Sequence, residues 1–378
     1  MDPDQLVITA WSAYSPFGAG RAAFAAGLAA GRPTDVDVSG PEWAVPDQRA
    51  CLVPNFDLRE RLGKKGTRAM DRGTGLALAT IGDLLAELGD GHQVGDRPDT
   101  ATVFGTSFGS PQAMMDFTRS SLTGKEPFYV DPALMPYGVM NATAGQCAIW
   151  YQLRGPNTTL AGGRGTALLG LRYARRLLAN GRAARALVGS AEDYSHARSW
   201  LWRHSHPDEP VVHGEGALML LVEPAGAIGG GRSPLARLLA VESRSVLDDD
   251  HASSLADCIQ FALKSAGIGA TEVGLAALSD APGRLGQVER AVVADVLGDS
   301  ARVLPGLRGL VGETGSVSAA FQIGSVLALT AGSGGSAGSG GSGGSARYGG
   351  SAGQVAIVTS VDHDGVIACA LLRLTDDF

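Results

Sequence analysis

The sequence predicts an α/β protein of two similar halves. Short apolar runs alternate with stretches of helical periodicity, and that order recurs after a Pro- and Gly-bearing loop near residue 230. The 378 residues, 44% hydrophobic and 18% charged, are enough to bury a large core.

The first half opens with a buried strand at Leu6 to Ala10. The turn Ser15-Pro16-Phe17-Gly18 then leads into an Ala-rich helix from Arg21 to Ala30. Arg68 to Leu88 carries apolar residues at helical spacing, and Thr100 to Gly105 is a β-branched and aromatic strand ending in a Gly/Ser turn. A strand at Thr158 to Ala161, a helix at Ala167 to Ala179 bearing Arg172, Arg175 and Arg176, and a strand at Arg185 to Ser190 form a β-α-β unit. The apolar runs Ala217 to Glu223 and Leu235 to Glu242, joined by the loop Pro224 to Pro234, read as neighbouring antiparallel strands.

The boundary between halves falls in that loop, giving residues 1–230 and 231–378. The second half repeats the order more loosely: a helix at Ser254 to Ala266, a strand at Val273 to Leu278, helices at Gly286 to Leu297 and Ser316 to Leu329, and strands at Val355 to Ser360 and Val366 to Leu374. Ala331 to Gly353 is almost wholly Gly, Ser and Ala, too poor in apolar side chains to offset its ordering entropy. It reads as a mobile loop inside the second half, with an inserted linker as the alternative.

A net charge of -7 offers no basic footprint for nucleic acid or an anionic membrane. Asp2 and Asp4 stand where a signal peptide is basic, and no apolar stretch approaches roughly 18 residues, so the expectation is a soluble cytoplasmic protein. Cys51, Cys147, Cys258 and Cys369 are far apart without metal-ligand spacing. They read as buried free thiols, with no cofactor or metal implied.

Gly155-Pro156-Asn157-Thr158-Thr159-Leu160-Ala161-Gly162-Gly163-Arg164-Gly165-Thr166-Ala167-Leu168 resembles the nucleophile segment of β-ketoacyl synthases, in which a strand turns sharply into a buried helix with cysteine at the turn. Here Arg164 holds that place. Ser15-Pro16-Phe17-Gly18, Gly105-Thr106-Ser107-Phe108-Gly109, Gly189 to Asp193 and Gly214-Glu215-Gly216-Ala217 extend the resemblance over nearly the whole chain. It implies a thiolase fold, two α/β halves layered αβαβα.

A helix N-terminus stabilises a thiolate, whereas a guanidinium there is unfavourable by roughly 0.3 to 1 kcal/mol unless a carboxylate or a partner chain compensates. Either Arg164 fills a dead site or reaches a carboxylate at a subunit contact, or it is a tolerated replacement in a decayed pocket. The resemblance also implies two histidines that promote decarboxylation and stabilise the oxyanion. Their places fall near Leu278 or Ser279 and, counting back from Leu327-Ala328-Leu329, at Gly312. The family's lysine upstream of the second is replaced in the neighbourhood of Leu307 and Arg308.

His204, His206 and His213 form the one histidine cluster and read as surface loop residues. His363, in Asp362-His363-Asp364-Gly365, lies in a turn similar to the family's gating loop and reads as a polar hairpin turn or a pocket-edge residue.

Loss of nucleophile, histidines and lysine together leaves no condensation machinery. The chain is similar to the chain length factor of type II polyketide synthases, an inactive relative that pairs with a catalytic ketosynthase to house a growing acyl chain delivered by acyl carrier protein. That resemblance implies a heterodimer paired through Thr158, Thr159, Leu160 and Ala161 beside Arg164, and a tunnel near Met114, Met115, Phe117 and Tyr137. The Leu62 to Arg72 stretch looks more like relatives from highly reducing, polyene-forming systems than aromatic ones. The competing readings are an acyl transferase or malonyl decarboxylase using Asp280, Glu313 or His363, and a homodimeric acyl-binding scaffold.

Overall fold

The computed structural model describes residues 5–68, 70–88, 99–229, 232–331 and 353–375. The expected boundary at 230/231 and almost all of the Gly/Ser tract lie outside these residues.

Ten strands carry the architecture. The first half contributes β1 (Leu6–Ser15), β2 (Thr100–Gly105), β3 (Asn157–Leu160), β4 (Arg185–Glu192) and β5 (Gly216–Pro224). The second contributes β6 (Ala236–Ser245), β7 (Val273–Ala277), β8 (Arg302–Val303), β9 (Val355–Val361) and β10 (Val366–Leu374). The helices are α1 (Gly20–Ala30), α2 (Leu58–Leu62), α3 (Arg72–Glu87), α4 (Pro111–Thr123), α5 (Ala142–Tyr151), α6 (Thr166–Ala179), α7 (His196–Ser205), α8 (His251–Ala266), α9 (Gly283–Leu297), α10 (Arg308–Val311) and α11 (Ser318–Ala331).

Strand order reveals a duplication that sequence similarity is too weak to establish. The first half runs β1-β5-β4-β2-β3 and the second β6-β10-β9-β7-β8, the same path in each. The senses agree as well: the first strand of each half is antiparallel to the fifth, the fifth to the fourth, and the remaining pairs are parallel. Even the irregularity is repeated, because β1 slips register between Ile8 and Ala10 against β5 and β6 slips between Leu238 and Ala240 against β10.

One expectation is corrected here. The runs read as β5 and β6 are not neighbours, because β1 lies between them. All ten residues of β1 are buried, so both its edges need partners. It takes β5 along most of its length and touches β6 only through Val7 with Arg237 and Ile8 with Ala236.

Side chains alternate between two apolar layers along each buried strand, which explains why the strands read as continuous apolar runs. On β5, Leu218, Leu220 and Val222 face a central layer while Ala217, Met219 and Leu221 face α3. On β10, Ala368, Ala370 and Leu372 face the same central layer while Ile367, Cys369 and Leu371 face α8 and α9. The central layer is filled by α6 and α11, so the order is α-β-α-β-α as the resemblance implies. Helix α11 is apolar around its circumference because sheet residues surround it.

Phe321 on α11 is fully buried with its ring 5.4 Å from that of Phe24. Phe321→Ala leaves a void in the central layer, and is expected to cost about 3 to 5 kcal/mol in chemical denaturation.

Candidate functional site

Arg164 lies in a single 3-10 turn, Gly163–Gly165, that leads into α6. It is 5% exposed, and its guanidinium makes an ion pair with the carboxylate of Glu313, itself 3% exposed. The Arg164 backbone N–H donates to Asp362 Oδ2 at 2.7 Å. Two carboxylates from the second half therefore meet the positive head of a first-half helix, which removes the objection to a cation at this position. Of the readings left open for Arg164, a carboxylate partner is what the structure shows, and that partner belongs to the same chain. Gly163, at φ +54, is required for the approach, because a Cβ there would stand 2.2 Å from Asp362 Oδ2.

Glu313 is fixed from several sides. Its Oε1 accepts the Gly315 N–H at 3.0 Å, and its backbone carbonyl accepts from Arg198 Nη2 at 2.9 Å. Buried Arg198 also donates to the carbonyls of Asp193 and Gly214, both at 2.9 Å, so it is fully committed to holding these loops together. Gly312, where counting placed the second histidine, has no room for a side chain: a Cβ would lie 2.8 Å from backbone atoms of Val212, His213 and Gly214. The side chain that enters the site from this segment is that of its neighbour Glu313.

At the other histidine position, Leu278 packs into the outer core under α8 and α9. Ser279 donates to Glu289 through its N–H at 3.0 Å and its Oγ at 2.7 Å, and Thr359 Oγ1 adds a third bond at 2.7 Å. Burial raises the Glu289 carboxyl above its ordinary range. This serine holds a buried carboxyl in place.

A cavity of about 290 Å³ opens above Arg164, with Arg198, Trp202, His213, Glu313 and His363 among its walls. Ser107 and Ser205 bring hydroxyls to it, and no thiol lines it. The histidine expectation changes here. His204 belongs to α7, an element the sequence reading missed. His206 caps that helix and stacks on Trp202 with centroids 4.0 Å apart, and His213 is buried in a two-residue strand. Ser195 was the available signal for α7, since its side chain accepts the Arg198 N–H at 3.3 Å as an N-cap. Burial, with Arg198 nearby, lowers the His213 imidazole to about 3, so it is neutral at ordinary pH. His363 is both a hairpin-turn residue between β9 and β10 and part of the cavity rim.

The remaining expected residues lie elsewhere. Thr158, Thr159 and Leu160 are half-buried on β3, which pairs only with β2 and forms one edge of the sheet among the described residues; Ala161 is exposed just beyond it. Met114 and Met115 are exposed on α4, Phe117 is half-buried, and Tyr137 packs in the outer core of the first half. Asp280, at φ +52, sits outside the cavity, within 3.6 Å of Arg290. All four cysteines are buried and free.

Two outcomes follow from this electrostatic arrangement. Arg164→Ala or Glu313→Ala leaves a buried charge without its partner and should cost about 3 to 5 kcal/mol in denaturation, whereas Arg164→Met with Glu313→Leu should recover most of the loss. Burial, then the nearby Asp71 and Glu192 charges, raise Asp193 to about 7 from 3.8. Between those values the native state holds a proton that the unfolded chain releases, so stability falls as pH rises through the window. Asp193→Asn should flatten that share of the slope in pH-dependent melts.

Residues 4–205, more than half of the chain, match the family model for the N-terminal domain of β-ketoacyl synthase. Among curated relatives, 3-oxoacyl-(acyl-carrier-protein) synthase 2 of Rhizobium meliloti is 26% identical over 375 residues, covering 84% of this chain and 85% of its own. The Vibrio harveyi protein of the same name is 27% identical over 60% of each chain. A solved structure described as the ishigamide ketosynthase/chain length factor superposes with a TM-score of 0.88 at 42% identity, covering 98% of this chain and 99% of its own. One chain of a structure described as a type II PKS acyl-carrier protein in complex with its ketosynthase shares the fold, with a TM-score of 0.78 at 15% identity over 99% and 100% of the two chains. No helix among the described residues is long and apolar enough to cross a membrane. By its family match, its relatives and its layered architecture, the chain belongs to the β-ketoacyl synthase family of thiolase-fold proteins.

Proposed function

We propose that this chain is a non-catalytic chain length factor that pairs with an active ketosynthase and shapes the acyl tunnel, in a polyketide system of the highly reducing, polyene-forming kind. The observation that carries the reading is the buried ion pair of Arg164 with Glu313 at the head of α6. A guanidinium cannot accept an acyl group, and a carboxylate neutralised by it is not a free base. Gly312, where counting places the second histidine, has no room for a side chain and its neighbour Glu313 is paired with Arg164; near the first, Ser279 is bound to Glu289.

Two surface features support a partner. Strand β3 ends the sheet with an open edge, which in a monomer invites pairing with another chain. Close to it in the fold, the segment from α4 to α5 exposes Leu122, Phe128, Met135, Val139, Met140 and Ile149, large apolar side chains that a partner would cover. Asn157 of β3 ties this segment to the edge by donating to the Ala144 carbonyl at 2.9 Å. In this reading Phe117 and one of the two adjacent methionines, Met114, face the tunnel across the interface, since neighbouring helix positions cannot both do so. The named neighbour, a ketosynthase/chain length factor structure, supports the same assignment, and carrier protein would deliver the chain to the catalytic subunit.

The test is co-expression with its catalytic ketosynthase. The expected result is a one-to-one complex that extends malonyl units, no decarboxylation of malonyl carrier protein by this chain alone, and no gain of turnover in Arg164→Cys. Met114→Trp should shorten the product. Decarboxylation by the isolated chain that Glu313→Ala abolishes would overturn the reading in favour of an enzyme.

A further inference from the structure

The stretch Thr166 to Ala186 holds five arginines, Arg172, Arg175, Arg176, Arg182 and Arg185, and no Asp or Glu, in a chain whose net charge is -7. Arg172, Arg175 and Arg176 are exposed on α6, the helix headed by Arg164. The ion pairs of the described residues take up other cations, from Arg21 with Glu87 to Arg290 with Asp280, and none of these three. So concentrated a charge on an acidic protein calls for an explanation outside the chain's own fold.

The geometry gives one. A groove of about 580 Å³ runs from Leu160, the last residue of edge strand β3, along Leu169, Arg172, Tyr173, Arg176 and Asn180. On α6, Leu169, Arg172 and Arg176 follow one another at spacings of three and four residues and form one stripe of the helix, with Tyr173 and Arg175 beside it and Asn180 just past its end. Glu242 is the one carboxylate on the groove wall. The open strand edge and the arginine stripe are thus parts of one continuous surface.

We propose that the arginine stripe of α6 is a partner-selecting surface that receives acidic residues on the corresponding helix of the catalytic ketosynthase and repels a second copy of this chain. The proposal rests on the reading above, that β3 pairs with a partner strand. Two-fold pairing through β3 brings like elements of the two subunits together. In a homodimer paired this way, two like-charged stripes would lie beside the same seam, where repulsion is felt within a Debye length of about 8 to 10 Å and no carboxylate compensates their desolvation. A ketosynthase with Asp or Glu at the matching positions instead forms forked guanidinium–carboxylate contacts, which are strong and geometrically selective. The same stripe that favours the heterodimer therefore disfavours the homodimeric scaffold.

The test uses the purified complex and three variants of this chain, with circular dichroism to verify the fold. Arg172→Glu with Arg175→Glu and Arg176→Glu should weaken the complex at least tenfold by sedimentation. Over 50 to 500 mM salt, the wild-type complex should weaken while the variant gains nothing from low salt. Arg172→Gln with Arg176→Gln, studied alone, should self-associate more than the wild type. If the reversed variant binds ketosynthase with unchanged affinity and salt dependence, the stripe is not the selector. Loss of carrier-protein affinity with an intact complex assigns it to the carrier protein and also overturns the proposal. The separate variant Ala161→Trp, at the exposed end of β3, probes the pairing itself: an unaffected complex there rejects the strand interface, whatever the arginines do.

Discussion

The head of α6 sits where the two halves of the fold meet, and its charge has to be balanced inside the protein. Both carboxylates that do so come from the second half: Glu313 precedes α11, and Asp362 occupies the turn between β9 and β10. Neither half is electrostatically complete at this point without the other. Ser107 and Glu192 of the first half add a further tie, because Ser316 donates to Glu192 at 2.6 Å and to Ser107 Oγ through its N–H at 3.2 Å. These interactions hold the two halves in register at the junction.

The arginine also answers a requirement of the helix head itself. A thiolate at the head of a helix is stabilised by the dipole and by free N–H groups; removing it leaves the dipole and those N–H groups in a buried place. Substituting a neutral residue would leave the carboxylate at 313 unpaired in the same space. Arginine paired with Glu313 solves both at once, since one guanidinium answers the carboxylate while Asp362 answers the backbone. The pair reads as a joint replacement, and each member makes physical sense only with the other.

The fold was largely legible because strands buried on both faces leave long apolar runs, and because Gly-rich turns mark the tight approaches. Gly214-Glu215-Gly216 is an instance: Glu215, fully buried, accepts from Arg72, from the Val53 N–H at 2.8 Å and from the Tyr194 N–H at 3.0 Å, so the motif is structural. The position of β1 between β5 and β6 was not legible, since periodicity reports which faces are buried and says nothing of which edge meets which. That Glu313 rather than Gly312 presents a side chain to the site was not legible either, since it follows from the backbone at Gly312, which has φ +74 and is packed against residues 212–214. Helix α7 was hidden by its composition, because its tryptophans and histidines read as polar loop when their stacking is unknown.

The segment from α4 to α5 carries exposed methionines and aromatics. Under the proposed function a partner covers them, and the arginine stripe of α6 is subject to the same requirement. Helix α6 joins the two ends of this argument. Its buried head is neutralised from within by the second half, while the charge along its exposed side has no counterpart among the ion pairs of the described residues. A helix satisfied at one end and unsatisfied along one face fits a subunit whose own fold is complete and whose assembly is not.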